Sequence, residues 1–245
     1  MRRGRTIQRM GDRPTIVLLH GMGGSHRMWD PQVEELAADC EIVAPDLPGH
    51  GLNRTRFTME AAREQVLKAI RINASGPVHL IGVSLGASVA LHVALAAPAR
   101  ITGLLVSGAM VGLPVKALKR QRTVTTLTPL RALAVASARM ADPYRTQDRD
   151  AFIVDIVQAG KRTQLDALDA IRSDDIGERL GRLTVPTLIC CGENDRLNRA
   201  SVDVLVDKIP KATKKIIPGG EHLWNLQRPK QFTNLIREFA FDKTA

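Results

Sequence analysis

Short unbroken apolar runs alternate along this chain with stretches whose apolar residues recur every three or four positions. Strand-length runs occur at Thr15–His20 (TIVLLH), Cys40–Ala44, Val78–Val83, Ile101–Val106, Thr187–Cys191 and Lys215–Pro218. An apolar run without polar alternation is what a strand buried on both faces requires. Helical periodicity fills the gaps at Trp29–Ala38, Met59–Ile72, Leu85–Ala97, Ala200–Ile209 and Pro229–Phe241. Strand and helix in alternation predict βαβ units, hence an α/β fold with a mostly parallel sheet flanked by helices. At most one further strand, Arg5–Met10, fits ahead of the first run.

The alternation fails between Gly108 and Leu183. That segment is strand-poor, helix-prone and rich in both charge signs, as in "VKALKRQRTV" and "AFIVDIVQAGKRTQLDALDAI". It predicts a helical cap insertion (residues 108–182) over the carboxyl edge of a sheet built from residues 1–107 and 183–245.

Composition narrows the class. With 245 residues, 44% of them hydrophobic, the chain suits one large domain that needs no disulfide or metal staple. Aromatics make up only 3%, so aliphatic side chains must fill the core. The net charge of +10 is scattered, with no basic stripe interleaved with aromatics, and nucleic acid is not an expected partner. Arg2, Arg3, Arg5 and Arg9 read as a solvated tail. Cys40, Cys190 and Cys191 form an odd set in apolar surroundings, which predicts reduced buried thiols and a cytoplasmic protein. No run approaches the ~18 apolar residues of a membrane span, and the basic start lacks the apolar stretch of a signal peptide. No metal-ligand spacing and no phosphate-binding loop appears, so neither metal nor cofactor is expected.

The chemistry concentrates where strands end. Gly82-Val83-Ser84-Leu85-Gly86 joins the Val78–Val83 strand to the next helix. A serine pinched between glycines at such a turn is pushed outward, and the following helix aims its free N–H groups at the same spot. Those are a nucleophile's requirements; the competing role is a simple helix cap. His20-Gly21-Met22-Gly23-Gly24 follows the first strand, and the N–H groups of Met22 and Leu85 would form an oxyanion hole. Gly192-Glu193-Asn194-Asp195 and Gly219-Gly220-Glu221-His222 follow the last two strands. In a parallel sheet all these loops share one edge. Ser84, Asp195 and His222 then supply nucleophile, orienting carboxylate and general base, in the order Ser, Asp, His.

With "HGMGGS", "DLPGHG" (46–51), "GVSLGA" (82–87), "GENDRL" (192–197) and "GGEHL" (219–223) in this order, the chain resembles the α/β-hydrolase superfamily. The resemblance implies its serine branch, since halide-displacing and epoxide-opening relatives carry aspartate at the nucleophile position. It selects Asp195 over its neighbour Glu193, and His222 over His20, His26, His50, His79 and His92. It gives His20 and Asp46 the task of holding loop backbone. Ala87 replaces a second glycine common in relatives, and "GLNRT" replaces a small hydroxyl residue after "PGHG".

Met22, Met110, Leu113 and Trp224 are the expected apolar walls of a substrate pocket between sheet and insertion. Lys116, Lys119, Arg120 and Arg122 read as a solvated helix face; the alternative is that one of them meets a substrate carboxylate. "MWDPQVEEL" (28–36) and "HLWNLQRPKQF" (222–232) resemble segments of 3-oxoadipate enol-lactonases, with Gln227 where relatives often have glutamate. Similar wording recurs in carboxylesterases and carbon–carbon bond hydrolases. The expected activity is hydrolysis of a small carboxylic ester or lactone through an acyl-enzyme. The alternative from another class is a ligand sensor that keeps the fold with vestigial turnover. The sequence carries no sign of oligomeric state.

Overall fold

The computed structural model describes residues 13–174 and 176–241. Arg5–Met10 and the N-terminal arginines lie outside them. Six strands form one sheet in the order β2-β1-β3-β4-β5-β6, every pair parallel. They are β1 (Thr15–Leu19), β2 (Glu41–Val43), β3 (Val78–Val83), β4 (Ile101–Ser107), β5 (Thr187–Gly192) and β6 (Ala212–Ile217). Helices α1 (Asp30–Leu36), α2 (Met59–Asn73) and α3 (Leu85–Ala96) follow the first three strands.

The pleat explains the unbroken apolar runs. In β1, Ile16 and Leu18 point to one face and Val17 and Leu19 to the other, and all four are fully buried. The Val17 side packs on α2, α3 and α7 (Arg199–Lys208); the Ile16 side packs on α1, α8 (Trp224–Gln227) and α9 (Pro229–Phe241). α3 is buried all round, so its sequence is almost wholly apolar or small.

Between β4 and β5 the chain builds α4 (Val115–Leu127), α5 (Leu130–Ala141) and α6 (Thr146–Arg172). α6 is broken at Gly160, whose φ of 74° is non-helical. Its two halves lie across loops at the carboxyl edge. Gln158 donates to the Gly51 carbonyl at 3.1 Å, Thr163 to the Gly49 carbonyl at 3.3 Å, and Asp166 pairs with Arg56 at 2.9 Å.

The largest departures from the sequence pattern fall in β6 and α1. β6 starts at Ala212, three residues early, because on this edge strand Thr213, Lys214 and Lys215 are exposed and need not be apolar. The helix expected from Trp29 is preceded by a 3₁₀ turn, His26–Trp29, which the Ser25 hydroxyl caps by accepting from the Arg27 N–H at 3.2 Å. It ends at Leu36 rather than Ala38.

Candidate active site

The strand order reverses between β1 and β3: β2 lies to one side of β1, and all later strands lie to the other. In open parallel sheets the crevice at that switch, outside the carboxyl ends, is where ligands bind. Ser84 follows β3 and the Gly21–Gly24 loop follows β1, so both flank it.

Ser84 sits at φ 54°, ψ −117°, a backbone conformation that costs a non-glycine residue about 1–3 kcal/mol. The flanking glycines permit it by close approach. A Cβ on Gly82 would lie 2.4 Å from the Gly86 carbonyl oxygen, and one on Gly86 would lie 2.2 Å from that of Leu19. The turn is anchored to β4 through the Ser84 N–H, which donates to the Ser107 carbonyl at 2.8 Å.

His222 Nε2 lies 2.9 Å from Ser84 Oγ, and its Nδ1 lies 2.6 Å from Asp195 Oδ2. The serine hydroxyl can donate to Nε2 only if that nitrogen is unprotonated, which leaves the proton on Nδ1 facing the carboxylate. Ser84 and Asp195 are buried, whereas the His222 ring is 31% exposed. Burial alone would raise the Asp195 pKa. Hydrogen bonds from His222 and Asn198 outweigh it and hold this carboxyl below its ordinary range. The Met22 N–H belongs to the loop after β1, and the Leu85 N–H to the first residue of α3. Among the described residues neither donates to a protein acceptor.

Asn198 was not singled out from the sequence. Its Nδ2 donates to both Asp195 oxygens, at 2.8 and 3.0 Å, and its N–H to Oδ1 at 3.3 Å. An asparagine three residues beyond an acid, opening the next helix, is the signal that would have marked it. Gly108 was missed as well. At φ +60°, a Cβ there would stand 3.0 Å from the His222 ring and 3.2 Å from Asp195 Oδ2.

A cavity of about 210 Å³ opens onto Ser84 and His222. Met22, Met110, Phe152, Leu197 and Leu223 wall it, with Met140 at its rim. Two expected wall residues are elsewhere. Trp224 is fully buried beneath the site, where its Nε1–H donates to Ser107 Oγ at 2.8 Å and its ring packs on Phe232. Leu113 is buried in the core that includes α3. Adjacency to His222 in the chain does not say which way Trp224 points; Leu223 takes the wall instead.

Two further side chains brace the site's loops. His20 Nδ1 donates to the Gly21 carbonyl at 2.8 Å while its Nε2 accepts from the Leu47 N–H at 3.0 Å. Complete burial, reinforced by the neighbouring His50, lowers its pKa to about 3 and keeps it neutral. Asp46 accepts from the N–H groups of His26 and Leu52, at 2.7 and 2.8 Å.

The α/β-hydrolase family model matches residues 16–235. The chain belongs to the α/β-hydrolase family. It is 26% identical to a pimeloyl-[acyl-carrier protein] methyl ester esterase of Aeromonas salmonicida, over 96% of this chain and 98% of that enzyme. Among solved structures it resembles the enol-lactonase of Burkholderia xenovorans LB400, with a TM-score of 0.82, 20% identity, and 96% and 94% of the two chains covered. A thermophilic esterase of Thermogutta terrifontis, solved with malate bound, aligns with a TM-score of 0.78 at 23% identity, over 93% and 89% of the chains. As an α/β-hydrolase it combines a parallel sheet with a small-molecule-sized cavity. No described helix is long and apolar enough to cross a membrane.

Proposed function

We propose that this α/β-hydrolase cleaves a small carboxylic ester or lactone through an acyl-enzyme on Ser84. The observation that carries the reading is the continuous chain Ser84 Oγ–His222–Asp195 at the floor of the cavity. His222 Nε2 takes the Ser84 proton as Oγ bonds to the substrate carbonyl carbon. The resulting oxyanion accepts from the Met22 and Leu85 N–H groups. His222 then returns the proton to the departing alcohol oxygen as the C–O bond breaks, or to the ring oxygen of a lactone. Water, giving a proton to His222, attacks the acyl carbonyl; His222 then returns that proton to Ser84 Oγ as the acyl C–Oγ bond breaks and the acid leaves. Asp195, held ionised by Asn198, stabilises the imidazolium in each half and is not itself protonated.

In this reading residues 108–182 form a cap unit over a core of 1–107 and 183–245, and the substrate lies between them. Three buried thiols support a cytoplasmic setting. The test is hydrolysis of p-nitrophenyl acetate and butyrate and of an enol-lactone by wild type and Ser84→Ala. The wild type should turn over at least one class, and the variant should lose about 10³-fold or more in kcat. Equal rates for the two proteins would overturn the assignment of the nucleophile.

A further inference from the structure

We infer that the acyl pocket selects an uncharged substrate whose far end carries a neutral hydrogen-bonding group such as an amide, read by Gln121. The inference rests on the serine-hydrolase reading and names the substrate class for that site. Its first support is charge. Among the described residues no lysine or arginine lines the cavity, and the carboxylate on its wall is Asp195. The basic stretch of α4 is turned away: Lys116, Lys119 and Arg120 are exposed, and Arg122 pairs with Asp169 of α6 at 3.1 Å. A substrate carboxylate entering this space would lose its hydration and meet no counter-charge, which is the costly way to bury an ion.

The second support is polarity at the cap end. Gln121 of α4 and Ser137 of α5 reach the same cavity, and both side chains are neutral. Gln121 Oε1 is buried, and among the described residues it has no hydrogen-bond partner. A buried amide oxygen without a partner is unfavourable, and a ligand N–H relieves it. The Gln121 amide can also donate, and so can the Ser137 hydroxyl, so the pair matches a primary amide better than a methyl group. The volume of about 210 Å³ lies below the ~300–1,000 Å³ of sites that hold drug-sized ligands, so the acyl group is short.

Three ethyl esters of the same shape separate these possibilities: ethyl 4-methylpentanoate, ethyl succinamate and the ethyl hydrogen succinate anion. They end in an isopropyl group, an amide and a carboxylate. Ester cleavage is followed by acid release at constant pH for wild type, Ser84→Ala and Gln121→Leu. In wild type, kcat/KM for both neutral esters should exceed that of the anion by at least 100-fold. The amide-to-isopropyl ratio should fall about tenfold in Gln121→Leu, a comparison that cancels any general loss of active protein. Serine-dependent turnover that favours the anion would overturn the charge selection and leave the hydrolase reading intact. An unchanged ratio in Gln121→Leu would overturn the role of that residue. Absence of Ser84-dependent turnover of all three would instead remove the hydrolase reading on which the inference stands.

Discussion

Gly108 shows how little room the chain leaves beside the proposed triad. Its positive φ, and the 3.0 Å that a Cβ there would leave to the His222 ring, disfavour a methyl group twice over, once through the backbone and once through contact. Gly108→Ala should therefore lose more than about 1 kcal/mol of stability. It should also lose kcat, because the imidazole must shift away from Ser84 or from Asp195. Urea unfolding alongside ester kinetics checks both; a variant with wild-type kcat would show that the ring tolerates displacement. Ser84 and its glycine neighbours were legible in the sequence because the strained turn demands a recognisable local pattern. Gly108 was not: "SGAM" is an ordinary loop, and only its distance from a histidine more than a hundred residues away makes it special.

Among the elements, α6 does more than cover the sheet. Asp155 in its N-terminal half is buried, accepts from Ser25 Oγ at 2.7 Å and pairs with the Arg27 guanidinium. Ser25 and Arg27 follow the Gly21–Gly24 loop directly, so the insertion grips the segment that presents the Met22 N–H. Replacing Asp155 with Asn weakens this grip and leaves Arg27 without its partner. We expect Asp155→Asn to lose about 1–3 kcal/mol of stability and to lower kcat more than it raises KM. A change confined to KM would mean that the loop keeps its position unaided. The helicity of the insertion was readable from its periodicity, yet a tie across 130 residues leaves no local trace. β1, β3, β4 and β5 were legible because burial on both faces makes their runs apolar without interruption, whereas the polar edge strand β6 was read three residues short.

For the whole molecule, buried neutral histidines govern the response to acid. Folded His20 holds its pKa near 3, while an unfolded histidine titrates at about 6.5. Between these values the unfolded chain binds a proton that the folded protein refuses. Stability is thus unaffected above about pH 6.5 and falls as pH drops toward 3, by up to ~1.4 kcal/mol per pH unit for this one group. His50 and His79, whose pKa values burial also lowers, add to the same slope. Urea midpoints measured from pH 7.5 to 5 should decline, and His20→Asn should decline less steeply even though it starts from a less stable protein. A parallel decline in both would place the proton uptake elsewhere. The sheet order has a further consequence, in time rather than in space. Because β1 lies between β2 and β3 while β5 and β6 complete the far side, Ser84 is synthesised long before Asp195 and His222, the residues it meets. His222 follows it by 138 residues, with the three inserted helices made in between. Non-local parallel pairing of this kind is slow to form. A refolding chain should therefore regain its helical signal early, and the turnover proposed for Ser84 only with the last strand to dock, so that function is the final event of folding.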